Sequence, residues 1–188
     1  MTHTPALALN DHARLMAEYN RWMNQKLYEQ VLALPEAEII LERRAFFGSI
    51  FGTLNHLCVA DVIWLKRFAS SALSPLAELD AWPAPTSLTM PMADNIQALW
   101  EKRQQLDDLI ERWVLTLDDA VLASPLAYHN TRGLPFHKTL FFLVSHFFNH
   151  QTHHRGQVTT LLTQQGADPG VTDLLALIPE APLTQRTL

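Results

Sequence analysis

Cysteine and clustered positive charge are nearly absent from this sequence. Among its 188 residues the one cysteine is Cys58, so an internal disulfide and a zinc site built from cysteines are both excluded. The 14 lysine and arginine residues are scattered, and no run of them could neutralise a phosphate backbone. Nucleic acid is therefore not an expected partner.

Long apolar runs are missing as well. No window reaches the ~18 uninterrupted apolar residues of a membrane-spanning helix, and residues 1–10 lack the basic and apolar regions of a secretory signal. A single cysteine also suits a reducing compartment. These absences predict a soluble cytoplasmic protein without a membrane partner. The composition, 48% hydrophobic and 18% charged, is that of a globular chain, and the length predicts a single domain over residues 1–188.

Four amphipathic segments predict the architecture. Apolar residues recur at helical spacing in about residues 9–34, 49–70, 93–117 and 137–165. Long segments of this kind favour an all-α fold, specifically a four-helix bundle. Charged residues of the third segment, Arg103 and Asp107 among them, are expected on a solvated face.

The connections between these segments differ in character. Residues 35–44 have the composition of an exposed connection. The long proline-rich connection at residues 71–91 is either a stiff crossover between helices or a lid over a site. Turn-forming residues at 130–133 predict a small hairpin before the fourth helix, and Gly166 is expected to end that helix.

Histidine is concentrated in the last long segment. Four of the nine histidines fall there within a few residues: His146, His150, His153 and His154. At helical spacing His150 and His154 lie on one face and continue an inward-facing apolar row, whereas His153 is rotated by about 100°. Two neutral imidazoles one turn apart can share a zinc, nickel or iron ion. Two core histidines that are hydrogen-bonded to their neighbours are the alternative, and this pair alone leaves it open.

A third histidine stands in the second predicted helix. His56 lies in an apolar run, with Gly52 one turn before it and Ala60 one turn after it. These small residues leave room beside the imidazole, either for a metal ion with its solvent ligand or for a close-packed neighbouring helix. In a bundle, His56 would converge with His150 and His154 from a facing helix.

Several segments together carry a family resemblance. They are Tyr19-Asn20-Arg21-Trp22-Met23-Asn24, Thr53-Leu54-Asn55-His56 with Trp64-Leu65, Asn149-His150-Gln151-Thr152-His153-His154-Arg155-Gly156-Gln157 and Asp168-Pro169-Gly170-Val171-Thr172-Asp173. In these segments, in their order and over nearly the whole chain, the sequence resembles the DinB/YfiT-like superfamily of metal-dependent proteins, and in particular its damage-inducible, DinB-like branch. The block around His150 is the most specific part.

The resemblance implies a four-helix bundle, often dimeric, that holds a divalent metal ion through three histidines. Those positions are His56, His150 and His154. His146 would then line the pocket or support the ligands, and His153 would be a surface or hydrogen-bonding residue. Members of the superfamily that are known as enzymes transfer or isomerise adducts of low-molecular-weight thiols, which implies a small-molecule thiol as substrate.

Three imidazoles leave one coordination position of a metal open, which is typical of a catalytic site. An all-nitrogen set accepts zinc or nickel, and iron as an alternative. The sequence therefore predicts a metal-dependent thiol transferase or, with water in place of the thiol, a hydrolase. No general base stands out among Asp61, Tyr128, His129 and His146. The alternative is a non-catalytic stress-response protein that binds a metal or a small ligand, and in either case a homodimer is expected.

Overall fold

The computed structural model of the protein describes residues 8–69 and 77–180, and these are mostly helical. The helices in this part of the chain are α1 (Leu9–Leu32), α2 (Glu36–Ile40), α3 (Ile50–Ala69), α4 (Ile96–Val114), α5 (Asp119–Ala123) and α6 (Leu140–Thr163). Two 3₁₀ turns, Ala77–Ala81 and Leu174–Leu177, follow α3 and α6. None of the described helices is long and apolar enough to cross a membrane.

A two-stranded antiparallel sheet precedes α6. Strand β1 (Pro125–His129) pairs with β2 (Pro135–Thr139) in a register that places Tyr128 opposite Phe136. The Asn130 side-chain oxygen closes the turn by accepting hydrogen bonds from the backbone of Arg132 and Leu134, each at 2.9 Å. This is the hairpin that the turn chemistry predicts, and it adds a small sheet to the fold that was expected to be all-α.

The four long helices pack around one apolar core. Helix α1 lies against α4 and α6, and α3 lies against α6 and α4. Each contributes buried side chains at helical spacing, for example Leu27, Leu57, Leu106 and Phe147. Burying one such side chain is worth about 1.5–3 kcal/mol, so this shared core is the main stabilising contribution.

Most predicted helix boundaries were too wide by a few residues. The fourth predicted helix was placed from residue 137, but residues 137–139 belong to β2 and pair with β1. The third begins at Ile96 because the Asn95 side chain accepts a hydrogen bond from the Ala98 backbone and so caps the helix. Ser49 caps α3 in the same way, through the Gly52 backbone at 3.0 Å.

The connections show one further difference and one confirmation. The expected exposed connection at residues 35–44 contains the short helix α2. Gly166 follows α6 with a φ of 76°, the left-handed conformation that a helix-ending glycine provides. Of the proline-rich connection, residues 71–76 lie outside the described part of the chain.

Two charged residues of α4 are buried, which contradicts the surface position predicted for them. The Arg103 guanidinium lies 2.5 Å from an Asp61 oxygen and 3.0 Å from an Asp107 oxygen, and all three side chains are 1% exposed. The amides of Asn20 and Asn24 donate hydrogen bonds to Asp107 at 2.9 and 3.0 Å. Ion pairing and hydrogen bonds offset the cost of removing these charges from water.

Helix α6 joins the same interior cluster. Gln151 donates a hydrogen bond to Asp61, and Arg155 donates one to Asn20. Burial raises the pKa of the Asp61 carboxyl to about 6, although the Arg103 guanidinium acts in the opposite direction. We call this cluster the buried polar network: Asn20, Asn24, Asp61, Arg103, Asp107, Gln151 and Arg155.

Candidate metal site

Three imidazoles from two helices meet at one point. His56 on α3 and His150 and His154 on α6 each place a ring nitrogen within 4.8 Å of those of the other two. The Nε2 atoms of His56 and His150 are 3.3 Å apart. Two nitrogen ligands at ~2.0–2.1 Å from a tetrahedral zinc ion lie ~3.4 Å apart. The predicted histidines therefore come together at distances that suit a single metal ion.

Helical spacing explains the arrangement. Along each helix, residues three or four apart line the same side of a cavity: His56, Ala60, Trp64 and Arg67 on α3, and His146, His150, His154 and Gln157 on α6. The two helices run in opposite directions. His56 thus faces His154, at 4.7 Å between ring centroids, and Trp64 faces His146 at 5.1 Å.

Hydrogen bonds from the outer ring nitrogens fix two of the three imidazoles. The Nδ1–H of His56 donates to the Leu88 carbonyl at 3.0 Å. The Nδ1–H of His154 donates to the Gln157 side-chain oxygen at 2.8 Å. Both partners accept, so both rings carry their proton on Nδ1 and keep the Nε2 lone pair for a ligand. This donor set fits a metal ion.

The small residues beside His56 have different roles. A side chain at Gly52 would bring its Cβ within 2.1 Å of the Phe47 carbonyl oxygen. The space that Gly52 leaves is therefore occupied by the loop before α3, and this loop stacks the Phe47 ring on the His56 imidazole with centroids 3.7 Å apart. Neither alternative from the sequence anticipated this contact. Ala60 is one of the residues that line the cavity, and its small side chain does leave room there.

The electrostatics of the site keep its imidazoles neutral. Burial lowers the pKa of His150 to about 3, and the neighbouring imidazoles, that of His154 first, act in the same direction. Burial also lowers the pKa of His56 and of His154, although the hydrogen bonds to Leu88 and Gln157 oppose it. Neutral imidazoles are the form that binds metals, so no ligand needs to lose a proton near pH 7.

The histidines open into a cavity of about 550 Å³. Its walls are largely apolar and aromatic, with side chains such as Phe46, Ile63, Trp64, Leu88 and Phe136. Such a pocket, with a few polar groups at one point, is the usual form of a small-molecule site.

The four candidates for a general base have different positions. Tyr128 and His146 line the cavity. Asp61 does not, because it lies in the buried polar network. His129 is exposed and is not among the described residues that line the cavity. His153 is exposed at the rim, 3.3 Å from the Gln157 amide nitrogen, in line with its predicted surface position.

Comparison with known proteins places this chain in a family. The model of the DinB family matches residues 9–186. The chain belongs to the DinB family. Protein DinB of Bacillus subtilis (strain 168) is 29% identical over 172 residues, which cover 88% of this chain and 92% of that protein.

A solved structure supports the fold of this DinB-family chain. The crystal structure of a DinB-like protein from Bacillus cereus ATCC 10987 covers 83% of this chain and 95% of its own, with a TM-score of 0.52. The two sequences are 17% identical, so the likeness concerns the fold. The helical architecture is thus DinB-like.

Two groups that hold imidazoles of this candidate site were not predicted. Gln157 lies three residues after His154, a helical spacing that could have identified it as a support for that imidazole. Leu88 acts through its backbone carbonyl, which every residue type has, so the sequence could not identify it.

Proposed function

We propose that this DinB-family chain is a metal-dependent enzyme that transfers a low-molecular-weight thiol to a small electrophile. In this proposal His56, His150 and His154 hold one divalent metal ion. The observation that carries it is the convergence of three imidazole nitrogens within 4.8 Å at the end of an apolar cavity. Zinc and nickel suit an all-nitrogen set best, with iron as the alternative.

The surrounding residues hold the ligands in the form that binds. Leu88 and Gln157 direct the Nε2 atoms of His56 and His154 toward the same point. Phe47 covers one face of the His56 ring and prevents its rotation. Three protein ligands with an open side are typical of catalytic rather than structural metal sites.

The chemistry follows from the open side of the site. When bound there, a divalent metal ion lowers the pKa of a coordinated thiol, so that the thiolate is available near neutral pH. The aromatic walls exclude water from an apolar electrophile. Tyr128 offers a hydroxyl and His146 a ring nitrogen that can hold a proton of the substrate. Burial lowers the pKa of His146, so this ring is neutral and able to accept one.

Elemental analysis combined with a thiol-conjugation assay tests the proposal. We expect about one metal ion per chain, and faster conjugation of glutathione to a chlorobimane with metal-loaded than with metal-free protein. Adding metal should restore the activity of the wild type but not of His154→Ala. Protein that retains no metal and takes up neither zinc nor nickel would refute the proposal. Metal-dependent ester or amide hydrolysis without thiol transfer would identify the site as a hydrolase instead.

Three finer expectations belong to the same proposal. We infer that α1, α3, α4 and α6 form a four-helix bundle of the DinB type, which their mutual packing supports. The homodimer and the cytoplasmic location stay predictions. Light scattering tests the first of these two, because a particle of 21.3 kDa would be a monomer.

A further inference from the structure

The two candidate ligands on α6 are each followed by a residue of the buried polar network. Gln151 comes directly after His150, and Arg155 comes directly after His154. Successive residues of a helix point about 100° apart. The histidines therefore face the cavity while Gln151 and Arg155 face the interior. Contacts that fix the rotation of α6 for one pair also fix it for the other.

The Gln151 side chain joins α6 to the other helix that carries a candidate ligand. Its amide nitrogen donates a hydrogen bond to a carboxylate oxygen of Asp61 on α3. The second oxygen of Asp61 accepts a hydrogen bond from Arg103 on α4 at 2.5 Å, and all three side chains are buried. Because α4 holds its carboxylate in place, Asp61 offers Gln151 a fixed acceptor.

This hydrogen bond crosses between the helices close to the histidines. His56 of α3 faces His154 of α6, with 4.7 Å between their ring centroids. Asp61 comes five residues after His56, and Gln151 comes three residues before His154. At ~1.5 Å per residue, the link lies only ~4.5–7.5 Å along the helix axes from this contact.

Arg155 attaches α6 at a second point, one turn further on. Its guanidinium donates a hydrogen bond to the Asn20 side-chain oxygen on α1. Asn20 in turn donates to Asp107 on α4 at 2.9 Å, and Asp107 pairs with Arg103 at 3.0 Å. The two attachments of α6 lead to different helices, and α4 connects both of them. Together they oppose rotation and sliding of α6.

A metal ion requires such precision from its ligands. Ligand atoms lie within ~0.2 Å of their usual distance from the ion. Side-chain atoms at the ~5–6 Å outer radius of a helix move by about 1 Å when the helix rotates by about 10°. His150 depends most on a fixed backbone, because the side-chain hydrogen bond and ring contacts of its imidazole are to His56, His146 and His154.

We propose that Gln151, through its hydrogen bond to Asp61, is a positioning residue of the metal site. It fixes the rotation of α6 that directs His150 and His154 toward His56. Gln151 is not among the described residues that line the cavity, so it acts through the backbone of α6. This inference rests on the proposed function, because it takes the three histidines to hold a divalent metal ion.

The zinc affinity of a Gln151 variant tests this inference. Gln151→Met keeps a long side chain but cannot donate a hydrogen bond. We expect it to weaken zinc binding by about tenfold in competition with a chromophoric chelator. The visible absorption of the Co²⁺-loaded protein reports the coordination geometry, and it should shift in the same variant. A residue that only stabilises the fold would change neither property in protein that circular dichroism shows to be folded.

Two controls separate the hydrogen bond from charge and from stability. Asp61→Asn removes the charge but can keep the link. The Gln151 side-chain oxygen has no partner among the described residues, and after the Gln151 amide turns over it can accept from the amide introduced at position 61. This variant should retain its zinc affinity. Asn24→Leu removes a different hydrogen bond of the network, to Asp107 at 3.0 Å, and should lower the urea midpoint without weakening zinc binding.

The possible failures of the inference and of the proposed function are distinct. If Gln151→Met keeps the zinc affinity and the Co²⁺ absorption of the wild type, the inference is wrong and the metal site stands. Equal losses of affinity in Gln151→Met and in either control also overturn the inference. A wild type that binds neither zinc nor Co²⁺ overturns the metal site together with the inference.

A second pair of variants serves if Gln151→Met does not fold. The double variant Asp61→Asn/Gln151→Met lacks the same link but leaves no buried carboxylate without its partner. Compared with Asp61→Asn alone, it should show the same loss of zinc affinity, about tenfold. Equal affinities of these two proteins would overturn the inference.

Discussion

The histidine cavity and the buried polar network lie on two sides of the same turns of α6, and they use polar side chains in opposite ways. His150 and His154 direct neutral ring nitrogens into a cavity. Gln151 and Arg155, each the next residue along the chain, are 0% and 2% exposed and bond to residues of α3 and α1. One short block of sequence therefore contributes both to a cavity lined by neutral ring nitrogens and to a buried network of bonded polar groups.

The comparison shows that the network organises the fold, whereas the cavity offers groups for chemistry. In the network, opposite charges such as Arg103 and Asp61 are paired with each other, so the groups hold helices together. In the cavity, the Nε2 atoms of His56 and His154 keep free lone pairs because their protons are committed elsewhere. Substitutions in the network should therefore change stability first, and substitutions in the cavity should change binding first.

The largest expected effect is on the network. Arg103→Met leaves Asp61 and Asp107 buried without their counter-charge, and we expect it to lower the free energy of unfolding by about 3–5 kcal/mol. Urea denaturation at neutral pH measures this. Arg112→Met is the matched control, because its ion pair with Glu78 is exposed and worth at most ~1 kcal/mol. Equal losses from the two variants would show that the network does not stabilise the fold.

The cavity should respond in the opposite manner. We expect His150→Ala and His154→Ala to reduce the metal content from about one ion per chain to near zero, while the urea midpoint of the metal-free protein changes little. Elemental analysis after desalting measures the first and denaturation the second. His153→Ala should keep its metal, since His153 points to the rim. Equal metal loss from His153→Ala and His154→Ala would mean that the ligands are assigned wrongly.

Gln157 should have a smaller effect on the same property. Without its side-chain oxygen the His154 ring loses the acceptor that fixes its tautomer, so Gln157→Ala should weaken metal affinity by ~10–100-fold. Competition with a chromophoric chelator measures this. Gln157→Glu keeps an acceptor and should retain most of the affinity. The exposed Gln164→Ala is the control, and a Glu variant as weak as the Ala variant would argue against the positioning role.

The pH dependence of stability should have opposite signs in the two regions. The pKa of His150 is about 3 in the folded protein against 6.5 for an ordinary histidine. Below about pH 6.5, His150 therefore binds a proton in the unfolded chain but not in the folded protein. Its contribution lowers the stability of the folded protein as the pH falls. The pKa of Asp61 is about 6 against 3.8. The stability that protonated Asp61 contributes is fully present below about pH 4 and is lost as the pH rises through about 6.

Urea denaturation of the metal-free protein between about pH 7 and pH 4 separates these contributions. His150→Gln should remove part of the loss of stability toward acid pH, and Asp61→Asn should remove part of the loss toward neutral pH. If the free energy of unfolding of His150→Gln changes with pH in parallel with that of the wild type, His150 is not the titrating group.

The cavity could be predicted further than the network, for a physical reason. His150 and His154 share a face at helical spacing, and the expectation that α3 faces α6 brings His56 to them, so periodicity together with the expected bundle predicted their convergence. The charged residues of α4 follow the same periodicity whether they meet water or buried partners. Because Asp61 comes from α3, Arg103 could be identified as buried only once the helices were packed.

Local structure determined which of the other elements could be predicted from the sequence. The hairpin was predictable because Asn130 has its own turn chemistry. The start of α6 was not, since nothing in the residue types His137, Lys138 and Thr139 excludes a helix and only their pairing with β1 makes them a strand. The role of the Leu88 carbonyl depends on the path of a loop, and residue types do not specify that path.

The unequal support of the three imidazoles has a kinetic consequence. His56 is held by Leu88 and by the Phe47 ring, and His154 is held by Gln157. Within the described residues, the side-chain hydrogen bond and the ring contacts of His150 are to His56, His146 and His154. We therefore expect His150 to be the first ligand to leave during metal exchange. The order of ligand exchange would then be set by the residues that support each imidazole rather than by the metal.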